Sequence, residues 1–395
     1  MKDFEFFSPT HYVFGKGAEL KAGAELARLG GTYALVHYGG GSVVRSGLLE
    51  RVTASLREAG IRYELLGGAQ PNPRSGLVYR GIELCREKGI DCLLAVGGGS
   101  AIDSCKAMAT GLKYDGDFWD MFAGTAKVPG ALPFGVVLTM AAAGSEGSNS
   151  CVITNEQGML KRSTSSDYNR PRFALMNPEL TYTLGAYQTA CGVADMMSHV
   201  FERYFTNEPD VALTDRLCEA VLSSIVEAAP RAIAAPDDYE ARATLMWAST
   251  LAHNDTCGLG RVSDGASHKL AHEISALYDT AHGATMGLIF PAYMRFLLGK
   301  ADMRLSRLAV NVWGCQMDYE HPERTALEGI RRYERFLAAL GLPRTFAAIG
   351  ARREDIPALI AKVRRRPDGL VGNFRPLNDD DMRAVYELAC EGSDC

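Results

Sequence analysis

Up to about residue 180, short hydrophobic runs end at glycines and alternate with segments of helical periodicity. The runs at 32–38, 91–96 and 134–140 are rich in β-branched and aromatic residues, as strands are. The segments 43–59 and 76–88 between them place apolar residues at helical spacing. Strands that alternate with helices in this way predict a parallel, doubly wound α/β domain.

After about Gly185 the strand signals stop and helical spacing takes over. One helical series is Leu213, Leu217, Val221 and Ile225. A second is Leu327, Ile330, Tyr333, Leu337 and Leu340, which ends at Gly341 and Pro343. The second half is therefore predicted to be all-helical, with the domains covering residues 1–185 and 186–395.

Composition and charge narrow the class of protein. The chain has 395 residues, of which 47% are hydrophobic and 23% charged, and a net charge of −5. These values suit a globular protein of two domains and give no basis for nucleic-acid binding. No signal peptide or membrane span is visible, and the ten cysteines are scattered. The expectation is a cytoplasmic enzyme with reduced thiols.

The most informative glycines of the first half follow the strand at 91–96. Gly97, Gly98 and Gly99 end that strand, and a helical segment begins with Ser100 and Asp103 at the spacing of a capping box. Free backbone N–H groups and the helix dipole at such a turn favour an anion such as a pyrophosphate. Similar turns also occur without a ligand, and that alternative stays open.

A second glycine turn, Gly39-Gly40-Gly41-Ser42, follows the strand at 32–38. The Rossmann pattern G-x-G-x-x-G is absent, so a dinucleotide would be held by a different turn. An acidic residue that would bind a free 2′-hydroxyl is also absent here, whereas Arg45 follows shortly after. This turn favours NADP(H) over NAD(H).

Carboxylate and imidazole side chains recur at helical spacing in the second half. Asp195 and His199 are four residues apart, and so are His268 and His272, with His282 close behind. Residues four apart share a helix face, so their side chains can converge. Each histidine alone is better explained as a core or surface residue. Together they favour a divalent transition metal such as Fe(II) or Zn(II).

These residues lie in segments that resemble the iron-dependent, or group III, alcohol dehydrogenases over nearly the whole chain. The similarity is closest to the branch of butanol dehydrogenases and NADPH-dependent aldehyde reductases. Its most specific segments are GGGSAIDSCK (97–106), AAGSEGSNSCVITN (142–155), YQTACGVADMMSHVFERY (187–204) and HKLAHEISALYDTAHG (268–283).

The resemblance implies a Rossmann-like dinucleotide-binding domain joined to an all-helical metal domain, the fold shared with dehydroquinate synthases, assembled as a homodimer. It implies a metal bound by Asp195, His199, His268 and His282, with His272 outside that set as a catalytic proton relay. The cofactor contacts that it implies are Gly39, Gly40, Ser42, Asn72, Gly98, Gly99, Ser100, Asp103, Thr139 and Lys161. The expected reaction moves hydride between NADP(H) and a short-chain alcohol or aldehyde.

Two departures from the family pattern leave alternatives open. Ala143 stands where relatives commonly have threonine, and Gly185 where they commonly have proline. One alternative is a polyol or glycerol-type dehydrogenase of the same fold that uses NAD(H), or an enzyme for phosphorylated substrates. The other is a cofactor-binding relative that has lost turnover.

Overall fold

The structure is a computed structural model that describes residues 1–392, and its contacts divide the chain into two compact units. The sheet unit comprises Phe7–Thr183, and the helical unit comprises Met1–Phe6 and the residues from Leu184 onward. No pattern in the sequence predicts that the first six residues belong to the helical unit. The backbone N–H of Lys2 donates to the carbonyl of Gly260 at 2.9 Å, which ties this segment to the helical unit.

A parallel six-stranded sheet runs through the sheet unit, as the alternation of strands and helices predicts. Its strands are β1 (His11–Phe14), β2 (Tyr33–Tyr38), β3 (Arg62–Leu66), β4 (Cys92–Gly97), β5 (Phe134–Leu138) and β8 (Phe173–Met176). Their order across the sheet is β1-β8-β5-β4-β2-β3. A separate antiparallel pair, β6 (Ser150–Asn155) and β7 (Leu160–Ser165), had not been predicted.

The strand order reverses direction between β2 and β4. From β2 the chain adds β3 on one side, then returns to place β4 and β5 on the other. In open parallel sheets a crevice forms at the carboxyl ends of the strands at such a reversal, and ligands bind there. Both glycine turns of the sequence analysis follow these two strands, so they lie at this point of the sheet.

Six helices accompany the sheet: α1 (Ala22–Arg28), α2 (Ser42–Arg45), α3 (Leu48–Glu58), α4 (Ser75–Lys88), α5 (Gly99–Gly111) and α6 (Trp119–Ala123). The predicted helix at 76–88 is confirmed by α4. The prediction of one helix over 43–59 is wrong, because Gly47 adopts a left-handed conformation (φ 69°) that ends α2 and starts α3.

The predicted capping box at the start of α5 is also wrong. Gly98 is the N-cap, no side chain caps the helix, and Ser100 lies inside the first turn. The Asp103 carboxylate instead accepts hydrogen bonds from the Ser145 hydroxyl (2.6 Å) and the Val152 backbone N–H (3.1 Å). Both carboxylate oxygens thus face tertiary partners and not the helix terminus.

Within residues 184–392, nine α-helices form the helical unit: α7 (Ala186–Tyr204), α8 (Ala212–Ala234), α9 (Tyr239–His253), α10 (Ala266–Tyr278), α11 (His282–Phe296), α12 (Asp302–Trp313), α13 (Pro322–Ala339), α14 (Ile356–Lys362) and α15 (Asp379–Glu391). The only β feature between residues 184 and 392 is an isolated bridge of Val371 with Leu377. The prediction of a helical second half is therefore confirmed. At its start, Gly185 has a φ of −63°, the value that a proline ring imposes, so its departure from the family pattern brings no strain.

The buried face of α8 differs from the predicted apolar stripe. Leu213 is 66% exposed and Leu217 37% exposed, whereas Asp215 is buried on the opposite face. The Asp215 carboxylate lies 2.8 Å from Arg261 and 2.5 Å from Arg304. Because this ion-pair network is buried, the first half of the helix directs Asp215 inward and leaves Leu213 and Leu217 facing outward.

Nine cysteines in residues 1–392 are free thiols, and eight of them are buried, as expected for small hydrophobic side chains. Cys395 lies outside the described residues. None of the helices in the described chain combines the length and apolar content that a bilayer span requires.

Candidate functional site

Three helices of the helical unit carry the predicted metal-binding side chains. Helix α7 presents Asp195 and His199 one turn apart, and α10 presents His268 and His272 in the same way. Helix α11 begins at His282 itself. Asp279 is left-handed (φ 49°), and it ends α10 just before the chain turns into α11.

The Asp195 carboxylate is the centre of this arrangement. Its Oδ1 lies 3.6 Å from Nε2 of His199, 3.9 Å from Nε2 of His268 and 3.7 Å from Nε2 of His282. These separations exceed hydrogen-bond length. Within the described chain, Asp195 Oδ1 and His268 Nε2 are buried and have no hydrogen-bond partner. Such groups are costly to bury unless something satisfies them, and a divalent cation fits that need.

The donor atoms of Asp195, His268 and His282 all lie within 4.8 Å of one another. His199 is close to Asp195 but is not part of this mutually close set. Its ring stacks on His253 at 3.9 Å and on His268 at 4.3 Å between centroids. The structure thus brings three of the four predicted ligands together and leaves His199 beside them.

His272 lies next to this set. Its ring centroid is 5.1 Å from that of His282 and 6.3 Å from that of His268. It occupies the position expected of a neighbour of the metal ligands, and its role as a proton relay stays a prediction.

Two residues of the cluster escaped the sequence analysis. Glu202 is buried, and its carboxylate lies 2.8 Å from Nδ1 of His268. It stands seven residues after Asp195, which places both on one helix face, so the spacing could have revealed it. His253 is the last residue of α9 and stacks on His199. No local pattern connects it with the other histidines.

The charges of the cluster reinforce one another. Burial lowers the pKa of His268, but the Glu202 and Asp195 carboxylates outweigh it and raise the pKa to about 9. Burial raises the pKa of Glu202, but His268 reverses the effect, and the net shift is downward. Burial, together with its histidine and arginine neighbours, holds the pKa of His199 well below its ordinary value. The site therefore favours positive charge near Asp195 and Glu202.

The two glycine turns meet in the sheet unit. A Cβ on Gly97 would lie 4.0 Å from the backbone nitrogen of Gly39. Strand β4 ends at Gly97 and α5 begins at Gly99, where a Cβ would contact nothing within 4 Å. The first N–H groups of a helix have no partner inside it, so this open turn can accept an anion.

The remaining predicted cofactor residues fall into three groups. Thr139 follows β5, and its backbone N–H donates to the Gly97 carbonyl at 3.1 Å. Lys161 donates to Asn72 Oδ1 at 2.9 Å, and the pair is buried. The two residues are 89 positions apart, so no local pattern predicts this contact. Asp103 is engaged by Ser145 and Val152.

Arg45 lies over the second glycine turn. A Cβ on Gly41 would lie 2.4 Å from a terminal guanidinium nitrogen of Arg45. Ser42 begins α2 beside it. The turn after β2 thus combines glycine backbone, a hydroxyl and a cation.

Comparisons with known proteins cover nearly the whole chain. The family model described as iron-containing alcohol dehydrogenase matches residues 9–178. The model described as the C-terminal region of the Fe-containing alcohol dehydrogenase family matches residues 189–390.

Several curated proteins are similar along their full length. The chain is 43% identical to the probable NADH-dependent butanol dehydrogenase 2 of Bacillus subtilis, over 98% of this chain and 100% of that protein. It is 33% identical to the NADPH-dependent aldehyde reductase YqhD of Escherichia coli, over 98% and 100%. Among solved structures, the NADH-dependent butanol dehydrogenase A of Thermotoga maritima superimposes with a TM-score of 0.95 at 35% identity, covering 99% of each chain.

Proposed function

This chain belongs to the iron-containing alcohol dehydrogenase family, a family of oxidoreductases that use NAD(P)(H), and from that premise we propose that it interconverts short-chain aldehydes and alcohols with NADP(H) and one divalent metal. The observation that carries the proposal is the mutually close set of Asp195, His268 and His282 donors. Its members come from three helices, and among them lies a buried carboxylate oxygen that has no hydrogen-bond partner in residues 1–392.

Asp195, His268 and His282 would hold the metal, with His199 as the fourth ligand. When bound, the metal polarises the substrate oxygen, so that the carbon accepts hydride or the hydroxyl gives up its proton more easily. The ligand set of one carboxylate and imidazoles, without thiolate, suits Fe(II) and Zn(II) alike. We therefore propose either ion.

His272 would serve as the proton relay. A histidine's ordinary pKa of about 6.5 allows it to exchange a proton near neutral pH. Its ring lies beside His282 and His268 but outside the mutually close donor set, so it can move a proton without losing a metal bond. We expect His272→Ala to slow turnover strongly while metal content is preserved.

The crevice at the carboxyl ends of β2 and β4 would hold the dinucleotide. The backbone at Gly98, Gly99 and Ser100 would bind the pyrophosphate at the start of α5. Bound there, the nicotinamide supplies or accepts the hydride, and the protein orients it. Asn72, Asp103, Thr139 and Lys161 would lie along the cofactor.

The turn Gly39–Ser42 supports a preference for NADP(H) over NAD(H). A carboxylate at the end of the second strand would repel a 2′-phosphate, and the residues that follow β2 are glycines and a serine. Arg45 lies over this turn and can pair with a phosphate. The relatives' names include both NADH- and NADPH-dependent enzymes, so the proposed preference rests on the residues of this turn alone.

The decisive experiment compares NADPH with NADH across a series of short aldehydes, using metal-stripped protein and protein reconstituted with Fe(II) or Zn(II). We expect turnover only after reconstitution and a higher kcat/KM with NADPH. His268→Ala should lose both the bound metal and the activity. Full activity of His268→Ala in the presence of a chelator would refute the metal mechanism.

Two rival functions are separated by the same assay. A dehydrogenase for phosphorylated polyols would turn over a polyol phosphate faster than butanal. A relative without turnover would bind NADPH tightly and oxidise none with any aldehyde. We expect butanal to be the better substrate, since the segments 196–197 and 271–277 beside the donor set are apolar or weakly charged and contain no lysine or arginine that could bind a phosphate.

We also propose that the enzyme is a homodimer in a reducing compartment such as the cytoplasm. The support for the compartment is the set of free, buried thiols in the described chain. Light scattering coupled to gel filtration measures the mass directly. A mass equal to one chain would exclude the dimer.

A further inference from the structure

Glu202 lies on the face of α7 that carries Asp195, two turns further along the helix. Only 7% of the residue is exposed. Its Oε1 accepts a hydrogen bond from the backbone N–H of His268 at 3.0 Å, and its Oε2 lies 2.8 Å from Nδ1 of the same residue. One carboxylate therefore holds both the main chain and the ring of His268.

The other ring nitrogen of His268 faces the Asp195 carboxylate. His268 Nε2 lies 3.9 Å from Asp195 Oδ1, and it is buried without a hydrogen-bond partner in the described chain. One ring nitrogen thus lies in ion-pair contact with the Glu202 carboxylate, and the other faces the candidate metal position.

The chemistry of imidazole makes this arrangement directional. A ring that gives the lone pair of one nitrogen to a metal keeps its single proton on the other nitrogen. A carboxylate only accepts hydrogen bonds, so Glu202 can satisfy a proton on Nδ1 but cannot donate to it. Hydrogen bonds of this kind fix the tautomer and orientation of metal-binding histidines.

We propose that Glu202 is a positioning residue that keeps the proton of His268 on Nδ1 and aims the Nε2 lone pair at the metal. The inference rests on the metal site proposed above. It also explains why a glutamate suits this position. The backbone N–H and the Nδ1–H of His268 each need an acceptor, and a carboxylate offers two acceptor oxygens whereas an amide offers one.

Replacement by glutamine tests this requirement, because an amide has one acceptor and one donor. If the glutamine oxygen accepts from the His268 backbone, its NH2 group faces Nδ1 and favours a ring with its proton on Nε2. In that tautomer Nε2 carries the proton and has no lone pair to give to the metal. If the amide is turned round, its NH2 group meets the backbone N–H. Glu202→Gln should therefore weaken metal binding although its shape is almost unchanged.

The measurement is the affinity for Co(II), obtained by competition with a chromophoric chelator, together with the visible absorption bands of the bound ion. We expect Glu202→Gln to raise the Kd about 10- to 100-fold and to change the cobalt bands. Glu219→Gln is the matched control. Glu219 is also a buried carboxylate of the helical unit, bonded to Tyr204 (2.8 Å) and Arg307 (2.8 Å) away from the donor set. Its replacement should leave the cobalt affinity and spectrum unchanged.

Glu202→Asp provides a second variant if the glutamine variant does not fold. It retains the charge but shortens the side chain, so we expect an intermediate affinity. Cobalt binding equal to wild type in whichever of the two variants folds would overturn the inference while leaving the metal site intact. Failure of the wild-type protein to bind cobalt, or binding that survives Asp195→Asn, would instead overturn the proposed function.

Discussion

His37 is a fully buried histidine in strand β2. Its Nδ1 lies 2.8 Å from the carbonyl oxygen of Leu66, and its Nε2 has no hydrogen-bond partner in the described chain. Burial lowers the pKa of His37 to about 4, because a charged ring would lose its hydration and the Leu66 carbonyl offsets only part of that loss. The histidine is thus neutral in the folded sheet and protonates more readily in the unfolded chain.

This residue should make stability depend on pH. The folded pKa of about 4 lies below the unfolded value of 6.5. Above pH 6.5 the ring is neutral in both states and costs no stability, and the free energy of unfolding falls as the pH drops from 6.5 towards 4. The loss is about 1.4 kcal/mol per pH unit at most. In His37→Leu, the free energy of unfolding measured with urea should therefore fall less per pH unit between pH 6.5 and 4.5 than in the wild-type protein.

His321→Gln serves as the control for this titration, because the His321 side chain is 46% exposed. It should keep the wild-type slope. A slope unchanged in His37→Leu would show that the His37 ring is accessible to protons in the folded protein.

Arg45 is the residue by which the cofactor preference can be tested. Its guanidinium lies over Gly41 at the carboxyl end of β2, where a 2′-phosphate could form a charge-assisted hydrogen bond. Losing such a bond costs about 1.5–3 kcal/mol, so Arg45→Ala should raise the KM for NADPH about tenfold or more and leave that for NADH nearly unchanged.

Arg62→Ala is a suitable comparison, since Arg62 lies at the opposite, amino-terminal end of β3 and stacks on Tyr33. It should alter neither KM. Equal losses with both cofactors in Arg45→Ala would argue against a 2′-phosphate contact.

At the scale of whole elements, the start of α11 packs against α7 with no room for a side chain. A Cβ on Gly283 would lie 1.9 Å from the backbone oxygen of Cys191, one helical turn before Asp195. Gly283 directly follows His282, so this close approach sets how near His282 comes to Asp195. Backbone oxygens cannot move aside as flexible side chains can.

Gly283→Ala should therefore separate the two helices and lower the cobalt affinity about tenfold or more, because sites of this kind tolerate little displacement. Gly287→Ala, one turn later on α11, is the control. Its nearest neighbour would be 3.5 Å away, so we expect unchanged cobalt binding and a gain of up to about 1 kcal/mol in the free energy of unfolding. Wild-type cobalt affinity in Gly283→Ala would show that helix spacing does not control the site.

The elements show how far sequence periodicity reaches. The strands that end at Gly39 and Gly97 and the helices around Asp195 and His268 follow from local patterns of apolar residues. The break at Gly47 does not, because a helical stripe continues across a glycine that turns left-handed. The face of α8 does not either, since the ion pairs of Asp215 involve arginines far away in the sequence.

On the scale of the whole molecule, the two proposed ligands bind to different parts of the chain. The metal-binding side chains all belong to the helical unit, and the glycine turns all belong to the sheet unit. A ligand present at 100 times its Kd stabilises the folded protein by about 2.7 kcal/mol. Each ligand alone should therefore raise the melting temperature.

Hydrogen–deuterium exchange locates these effects. Zn(II) should give its strongest protection in peptides from α7, α10 and α11, and NADPH in peptides that contain residues 39–45 and 97–106. Mg(II) at matched concentration is the control for Zn(II) and should protect neither region, because Mg(II) prefers oxygen ligands over imidazole. Strongest protection by Zn(II) outside the helical unit would contradict the assigned site.

The candidate site could be predicted only as far as its residues form sequence patterns. The pairs Asp195–His199 and His268–His272 share the one-turn offset of a helix face, and His282 follows closely. The spacing of Glu202 from Asp195 places it on the same helix face, but its contact with His268, like the contact of His253 with His199, depends on packing between helices. The exclusion of His199 from the mutually close set likewise depends on how the helices pack.

The three close donors are 73 and 14 residues apart along the chain, from 195 to 268 and from 268 to 282, and each stands on a different helix. An ion bound by all three would link these three helices to one another. We expect the ion to leave when one of these helices moves away, and the rate of metal release would then measure that motion. The rate at which a chelator removes the ion should then reach a plateau as chelator concentration rises, at the opening rate of the helices.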